Sequence, residues 1–122
     1  MGKQEDFAGV IQQLRENLPD VTGVMIASAD GLSIGTDFTE DEAARIAAMG
    51  ASAVGLGSRI TKSADLGDMH DLVIEGSSET LIIYMIGSAA ILALRAPRRA
   101  NLGLIRLEGP KAVDKIEALV SN

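Results

Sequence analysis

The apolar positions of the chain fall into two kinds of spacing. Phe7, Val10, Ile11, Leu14 and Leu18 recur every three or four residues, which predicts an amphipathic helix from about Lys3 to Leu18, ended by Pro19-Asp20. Val21 to Ser28 and Leu32 to Thr36 are short apolar-rich runs joined at Asp30-Gly31, a dipeptide that suits the positive φ angles of a hairpin turn. Thr39-Glu40-Asp41-Glu42 follows as a capping-box pattern: the threonine hydroxyl can accept from the amide of Glu42 while the Glu42 carboxylate reaches back to the amide of Thr39. It opens a long helix that continues through Ala43 to about Lys62, with its acidic first turn at the positive end of the helix dipole. After a loop over Ser63 to Asp68, the runs His70 to Glu75, Thr80 to Ile86 and Ala89 to Arg95 predict three more strands, the last two turning at Gly87-Ser88. Beyond Pro97-Arg98-Arg99 a final helix runs from about Asn101 to Val120.

The order is helix, two strands, helix, three strands, helix, an α/β (α+β) pattern. Leu81-Ile82-Ile83-Tyr84-Met85-Ile86 and Ala89-Ala90-Ile91-Leu92-Ala93-Leu94 do not alternate with polar residues, so both sheet faces are expected to be covered. The long helix would cover one face, and the first and last helices the other. Residues 1–122 are expected to form a single domain, because no segment has linker composition and the length suits one core.

The long helix carries little polar surface. Ile46, Met49, Ala53, Leu56 and Ile60 form the stripe expected to face the sheet. The rest of the circumference is mostly small: Ala43, Ala47, Gly50, Val54 and Gly57, then Ala44, Ala48, Ala51, Gly55 and Ser58. Only Arg45, Ser52 and Arg59, spaced by seven, make an outward polar line. Each interior glycine costs the helix roughly 0.5 to 1 kcal/mol relative to alanine, so some packing gain should offset it. The expected offset is a second helix that approaches the small residues closely and gains dispersion contacts, in preference to these residues merely letting the helix lie close on its own sheet.

Charge and composition narrow the function. A formal charge of −6 disfavours the phosphate backbone of nucleic acid and an anionic membrane surface as partners. The uncharged run Thr80 to Leu94 is shorter than the ~20 residues of a membrane helix and is split at Gly87-Ser88, so membrane insertion is not expected. The N-terminal Met1-Gly2-Lys3-Gln4-Glu5-Asp6 lacks an apolar signal core and places Asp where a myristoylation motif has Ser or Thr. Without cysteine there is no thiol chemistry, and the cytoplasm is the expected compartment.

No residue set reads as a catalytic, cofactor or metal site. His70 is the only histidine, and Asp65, Asp68 and Asp71 beside it lack calcium-loop spacing, so an acidic solvated loop is expected there. The glycines from Gly50 to Gly57 lie inside a helix with no following Lys-Ser or Lys-Thr, which makes them a packing feature rather than a phosphate loop. Arg98 and Arg99 stand just before a helix start, where two cations oppose the dipole; with Arg45, Ser52 and Arg59 they are the candidate partner contacts.

Two local patterns, Pro19-Asp20-Val21-Thr22-Gly23-Val24 leading to Asp30-Gly31-Leu32 and Asn101-Leu102-Gly103-Leu104 opening the last helix, resemble the Roadblock family of dynein light chains and its bacterial and archaeal relatives, including MglB-type partners of polarity GTPases. With the small-residue central helix, the likeness covers nearly the whole chain. The resemblance implies a five-stranded antiparallel sheet of order 2-1-5-4-3 and a homodimer built by antiparallel central helices and by pairing of the third strand with its copy. The expected interface is Ala44, Ala47, Ala48, Ala51, Gly55 and Ser58 on the helix, with Leu72, Val73 and Ile74 on the strand. It further implies a non-catalytic scaffold that binds a Ras-like small GTPase and can stimulate its hydrolysis by arranging the GTPase's own groups. A structural subunit pairing with another Roadblock-like chain and a small-molecule sensor are the alternatives; the sensor would need a cavity lined by polar groups. The chain departs from the pattern at Gly109-Pro110, where a kink or two short collinear helices are expected.

Overall fold

The computed structural model of the chain describes residues 3–120, so expectations concerning Met1 and Gly2 lie outside the described residues. The predicted element order holds: α1 (Lys3–Asn17), β1 (Gly23–Ser28), β2 (Ser33–Thr36), α2 (Glu40–Ser63), β3 (Leu72–Glu75), β4 (Glu79–Ile86), β5 (Ala90–Pro97) and α3 (Leu102–Val120). The strands form one antiparallel sheet in the order β2-β1-β5-β4-β3. Turn chemistry closes its hairpins. Gly87 takes a φ of 57° at the β4–β5 turn, where the amide of Ala89 donates to the carbonyl of Ile86 at 3.3 Å. Gly31, with a φ of 91°, donates to the carbonyl of Ser28 at 3.0 Å after β1. Both angles are open to glycine without steric cost.

The unbroken apolar strands β4 and β5 sit inside the sheet and feed a core on each face. Ile82, Tyr84, Ile86, Leu92 and Leu94 pack under α1 and α3 with Phe7, Leu14, Ile105 and Ile116. Met25, Ile83, Ile91 and Ala93 pack under α2 with Phe38, Ala47 and Val54. The capping box at the start of α2 is formed as expected: the amide of Glu42 donates to Thr39 Oγ1 at 3.3 Å, and the amide of Thr39 to Glu42 Oε1 at 3.4 Å. β3 starts at Leu72 rather than His70, and Asp71 just ahead of it is held by Arg106 of α3.

The face that α2 turns to the sheet is not the expected one. Ala43, Ala47, Gly50, Val54 and Gly57 are buried against the strands, whereas Met49, Leu56 and Ile60 are exposed. The helix is turned about one residue step, or ~100°, from the orientation that its large side chains suggest. The reason is that the sheet and its loops already fill the space beneath it. A Cβ on Gly50 would lie 3.2 Å from Ile91 Cδ1, and one on Gly57 would lie 2.8 Å from Met69 Sδ. For these two glycines, close packing on their own sheet is the offset that the helix penalty requires. Gly55 has nothing within 4 Å of its virtual Cβ and stays open.

Of the two outcomes expected at Gly109-Pro110, the chain does not form two short helices: α3 is a single helix with Pro110 inside it. Pro110 forfeits the bond to the carbonyl of Arg106. The helix nevertheless continues because Ile105, Gly109, Ala112 and Ile116 dock on the sheet as one buried line across the proline. Gly109 lets that line come close, since a Cβ there would stand 2.7 Å from Tyr84 Cε2.

Two glycine substitutions should therefore move stability in opposite directions. Gly109→Ala forces the Tyr84 ring to shift in a packed core and should cost about 1–3 kcal/mol. Gly55→Ala meets no neighbour and should gain roughly 0.5–1 kcal/mol from helix propensity. Chemical denaturation of the two variants checks both signs.

Candidate interaction surface

Three lines of side chains run along the outside of α2, one on each flank of the buried line and one opposite it. One flank holds Ala44, Ala48, Ala51, Gly55 and Ser58. Ala44, Ala48 and Gly55 are exposed, and Ala51 and Ser58 are half-buried, with Ser58 Oγ directed at Met85 Sδ at 3.3 Å. This flank looks toward the β1–β2 hairpin, since a Cβ on Gly31 would come within 3.1 Å of Ala48 Cα. Ala47, expected with this set, is 0% exposed in the core beneath the helix, so it cannot reach a second chain.

The opposite flank holds the large residues. Met49, Leu56 and Ile60 are 58%, 56% and 53% exposed, beside the half-buried Ile46 and Ala53. Glu42 on the same line reaches Arg95 of β5 at 3.5 Å, and Ile46 packs against the same core as Leu72 and Leu81. On β3, Leu72 and Val73 are half-buried, and Ile74 is 47% exposed at the sheet edge. Sequence reasoning missed this apolar flank because it assigned the large residues to the core. The signal that could have found it was the spacing of Ala43, Ala47, Gly50, Val54 and Gly57, which is itself a complete helical stripe of small residues.

The polar line behaves as expected. Arg45, Ser52 and Arg59 are exposed on the side of α2 turned away from the sheet, and neither arginine forms an ion pair among the described residues. Arg98 is less free than Arg99. Its guanidinium lies 3.7 Å from Glu75 at the end of β3, whereas Arg99 is exposed with no ion pair among the described residues. Such exposed pairs contribute little to stability, which leaves Arg98 able to exchange partners.

A cleft of ≈500 Å³ opens between α3 and the end of β4 that β3 does not cover. It is lined by His70, Asp71, Tyr84, Met85, Arg106, Pro110, Val113 and Asp114. Arg106 donates to both carboxylate oxygens of Asp71, at 3.0 and 3.3 Å, and this pairing raises the arginine's affinity for its proton. The two residues lie 35 positions apart, so no local spacing announces the pair. Burial and then the nearby Asp71 carboxylate push the Tyr84 hydroxyl up from 10.0 to about 12, while Arg106 opposes. At the start of α2, the Thr39 hydroxyl and amide hold the Glu42 carboxyl below its ordinary 4.5, with Arg95 assisting. None of these groups pairs a nucleophile with a base. Among the described residues no three His, Asp or Glu side chains gather to hold a metal ion, and no helix is long and apolar enough to cross a membrane.

The sequence profile of the Roadblock/LC7 domain matches residues 8–96. An uncharacterised protein of Methanocaldococcus jannaschii is 31% identical over 100 residues, covering 81% of this chain and 84% of the relative. Among solved structures, a Roadblock/LC7 domain from Streptomyces avermitilis superposes with a TM-score of 0.82 at 26% identity, covering 94% of each chain. MglB from Myxococcus xanthus superposes with the same TM-score of 0.82 at 21% identity, covering 93% of each chain, a likeness of fold.

The buried phenol provides a pH test of the cleft. An acid whose folded value lies above its unfolded value contributes stability that is fully present below pH 10 and is lost as pH rises toward about 12. Alkaline denaturation should therefore steepen over that window, and Tyr84→Phe should remove the Tyr84 contribution to the slope. Titration of phenolate absorbance in the folded wild type checks the same value.

Proposed function

The chain belongs to the Roadblock/LC7 family, and from that premise we propose that it is a non-catalytic homodimeric scaffold that binds and regulates a Ras-like small GTPase. The observation that carries the homodimer is the exposed flank of α2. Met49, Leu56 and Ile60 form an exposed apolar line, Ile74 is exposed on the edge strand, and soluble monomers rarely leave such surface uncovered. A second copy placed about a twofold axis beside β3 would cover both features at once, helix on helix and strand on strand. The seam then runs along the large flank and the β3 residues Leu72, Val73 and Ile74. The small flank with Ala44, Ala48, Ala51, Gly55 and Ser58 lies outside this seam.

The GTPase reading rests on the family resemblance and on the polar line of α2. In a dimer two such lines lie side by side, giving four arginines, Arg45 and Arg59 from each protomer, on one face. Arg98 and Arg99 add charge at the other side of the sheet. Stimulated hydrolysis would require only that the scaffold hold the GTPase's own catalytic groups in place, so it calls for no reactive side chain here. As one domain over residues 1–122, the protein would work in the cytoplasm alongside its partner.

Leu56→Glu tests the seam. The side chain is exposed in the protomer, so the fold should survive by circular dichroism, while a charge buried without a partner in the seam should turn the dimer into monomers. A wild-type chain that sediments as a monomer at micromolar concentration would overturn the homodimer.

For the partner, the purified protein should bind no nucleotide by itself and should retain a Ras-like GTPase of its own organism loaded with GDP or a GTP analogue. Arg45→Glu and Arg59→Glu should mainly slow association and reduce its salt sensitivity. If no such GTPase binds in either nucleotide state, the structural-subunit reading takes its place.

A further inference from the structure

β3 closes the sheet on its side, and charge stands at both ends of its free edge. Val73 packs in the core under α1 and α3, whereas Leu72 packs in the core under α2. Strand alternation therefore places Asp71, Val73 and Glu75 together on the α3 face. The contacts agree, since Asp71 is held by Arg106 of α3 and Glu75 by Arg98 just ahead of α3. One face of a short edge strand thus carries a carboxylate at each end, each with an arginine from its own protomer.

Pairing of β3 with its copy constrains where these charges go. Directly opposed side chains of an antiparallel pair point to the same face, so a symmetric pairing must centre on a residue and not between two. For Leu72–Glu75 the two centrings nearest the middle are Val73 and Ile74. Centred on Val73, Asp71 of one protomer lies opposite the partner's Glu75, about 5 Å apart between Cβ atoms. Centred on Ile74, the same two residues are diagonal neighbours at about 7–8 Å. Either way two carboxylates come near each other across the seam, and directly opposed they are destabilising by themselves. Arg98 resolves it: its pair with Glu75 is long, at 3.7 Å, and more than half exposed on both sides, so its guanidinium can turn to a second acid.

We propose that in the homodimer Arg98 of each protomer is shared between its own Glu75 and the partner's Asp71, closing a four-charge cluster with the partner's Arg106 at each end of the strand pair. The inference rests on the homodimer reading and adds the recognition element to it. The two clusters select a second copy of this chain over a relative with other charges at these positions.

The test mixes two variants. In Arg98→Glu homodimers each cluster has an excess of acids, and dissociation should be tighter in wild type by on the order of tenfold or more. In Asp71→Lys homodimers each cluster has an excess of cations. A heterodimer of the two contains one native cluster and one with the pair reversed, so native mass spectrometry of the mixture should find heterodimer well above the statistical half. Circular dichroism checks that Asp71→Lys, which also loses its bond to Arg106, is folded. Arg98→Gln, at an exposed site that spares Asp71, gives an independent reading: its dimer dissociation constant should lose part of the rise with salt that wild type shows. A statistical mixture of variants that each dimerise as tightly as wild type, or an unchanged salt slope in Arg98→Gln, overturns the cluster and leaves the dimer standing. A monomeric wild type overturns both.

Discussion

The distance between α2 and the sheet is the constraint from which the rest of this structure follows. Phe38, Ile83, Ile91 and Met69 fill the layer beneath the helix from the sheet and loop side, so only Ala43, Ala47, Gly50, Val54 and Gly57 fit on the helix side. Packing density, rather than the size of the helix's own residues, decides which face is buried. Once the small line faces inward, geometry turns Met49, Leu56 and Ile60 outward. An apolar surface then exists on the protomer whose natural complement is another apolar surface. The exposed apolar flank is in this sense a consequence of how the core is packed.

This constraint also marks the limit of what the chain reveals as a sequence. The elements and their order were legible because each carries a local signal: the 3.6-residue period of α1, the capping box at Thr39, and the glycines that supply positive φ at both hairpins. The face of α2 was not legible, since two stripes one step apart were both apolar and the larger was taken for the core. Amphipathicity separates polar from apolar; it does not rank two apolar faces. Pro110 left two outcomes open for a related reason. A lost backbone bond is a local cost, whereas the docking of Ile105, Gly109, Ala112 and Ile116 that carries α3 through it is tertiary.

The candidate surface was legible in its polar part and obscure in its charged pairs. Arg45, Ser52 and Arg59 lie where a heptad spacing on one helix must put them. Arg98 was readable as an exposed cation, but its bond to Glu75 and the bond of Arg106 to Asp71 join residues far apart in sequence. Only the fold, which brings the start of α3 beside the edge strand, reveals that β3 has an acid and an arginine at either end.

An edge strand is normally a liability, because its open amides invite any extended chain. Proteins blunt such edges with charge, and β3 carries charge, yet all of it falls on one face, with Ile74 left exposed on the other. A purely protective device would place charge on the exposed positions. The arrangement here instead leaves Ile74 exposed on the α2 side and sets paired charges at the ends of the opposite face, where, in the proposed dimer, they would penalise a mismatched partner. In the proposed dimer, attraction and selection would be separated onto the two faces of this edge: burial on the α2 side would supply the attraction, and the arginine–carboxylate pairs on the α3 side would determine which chain qualifies.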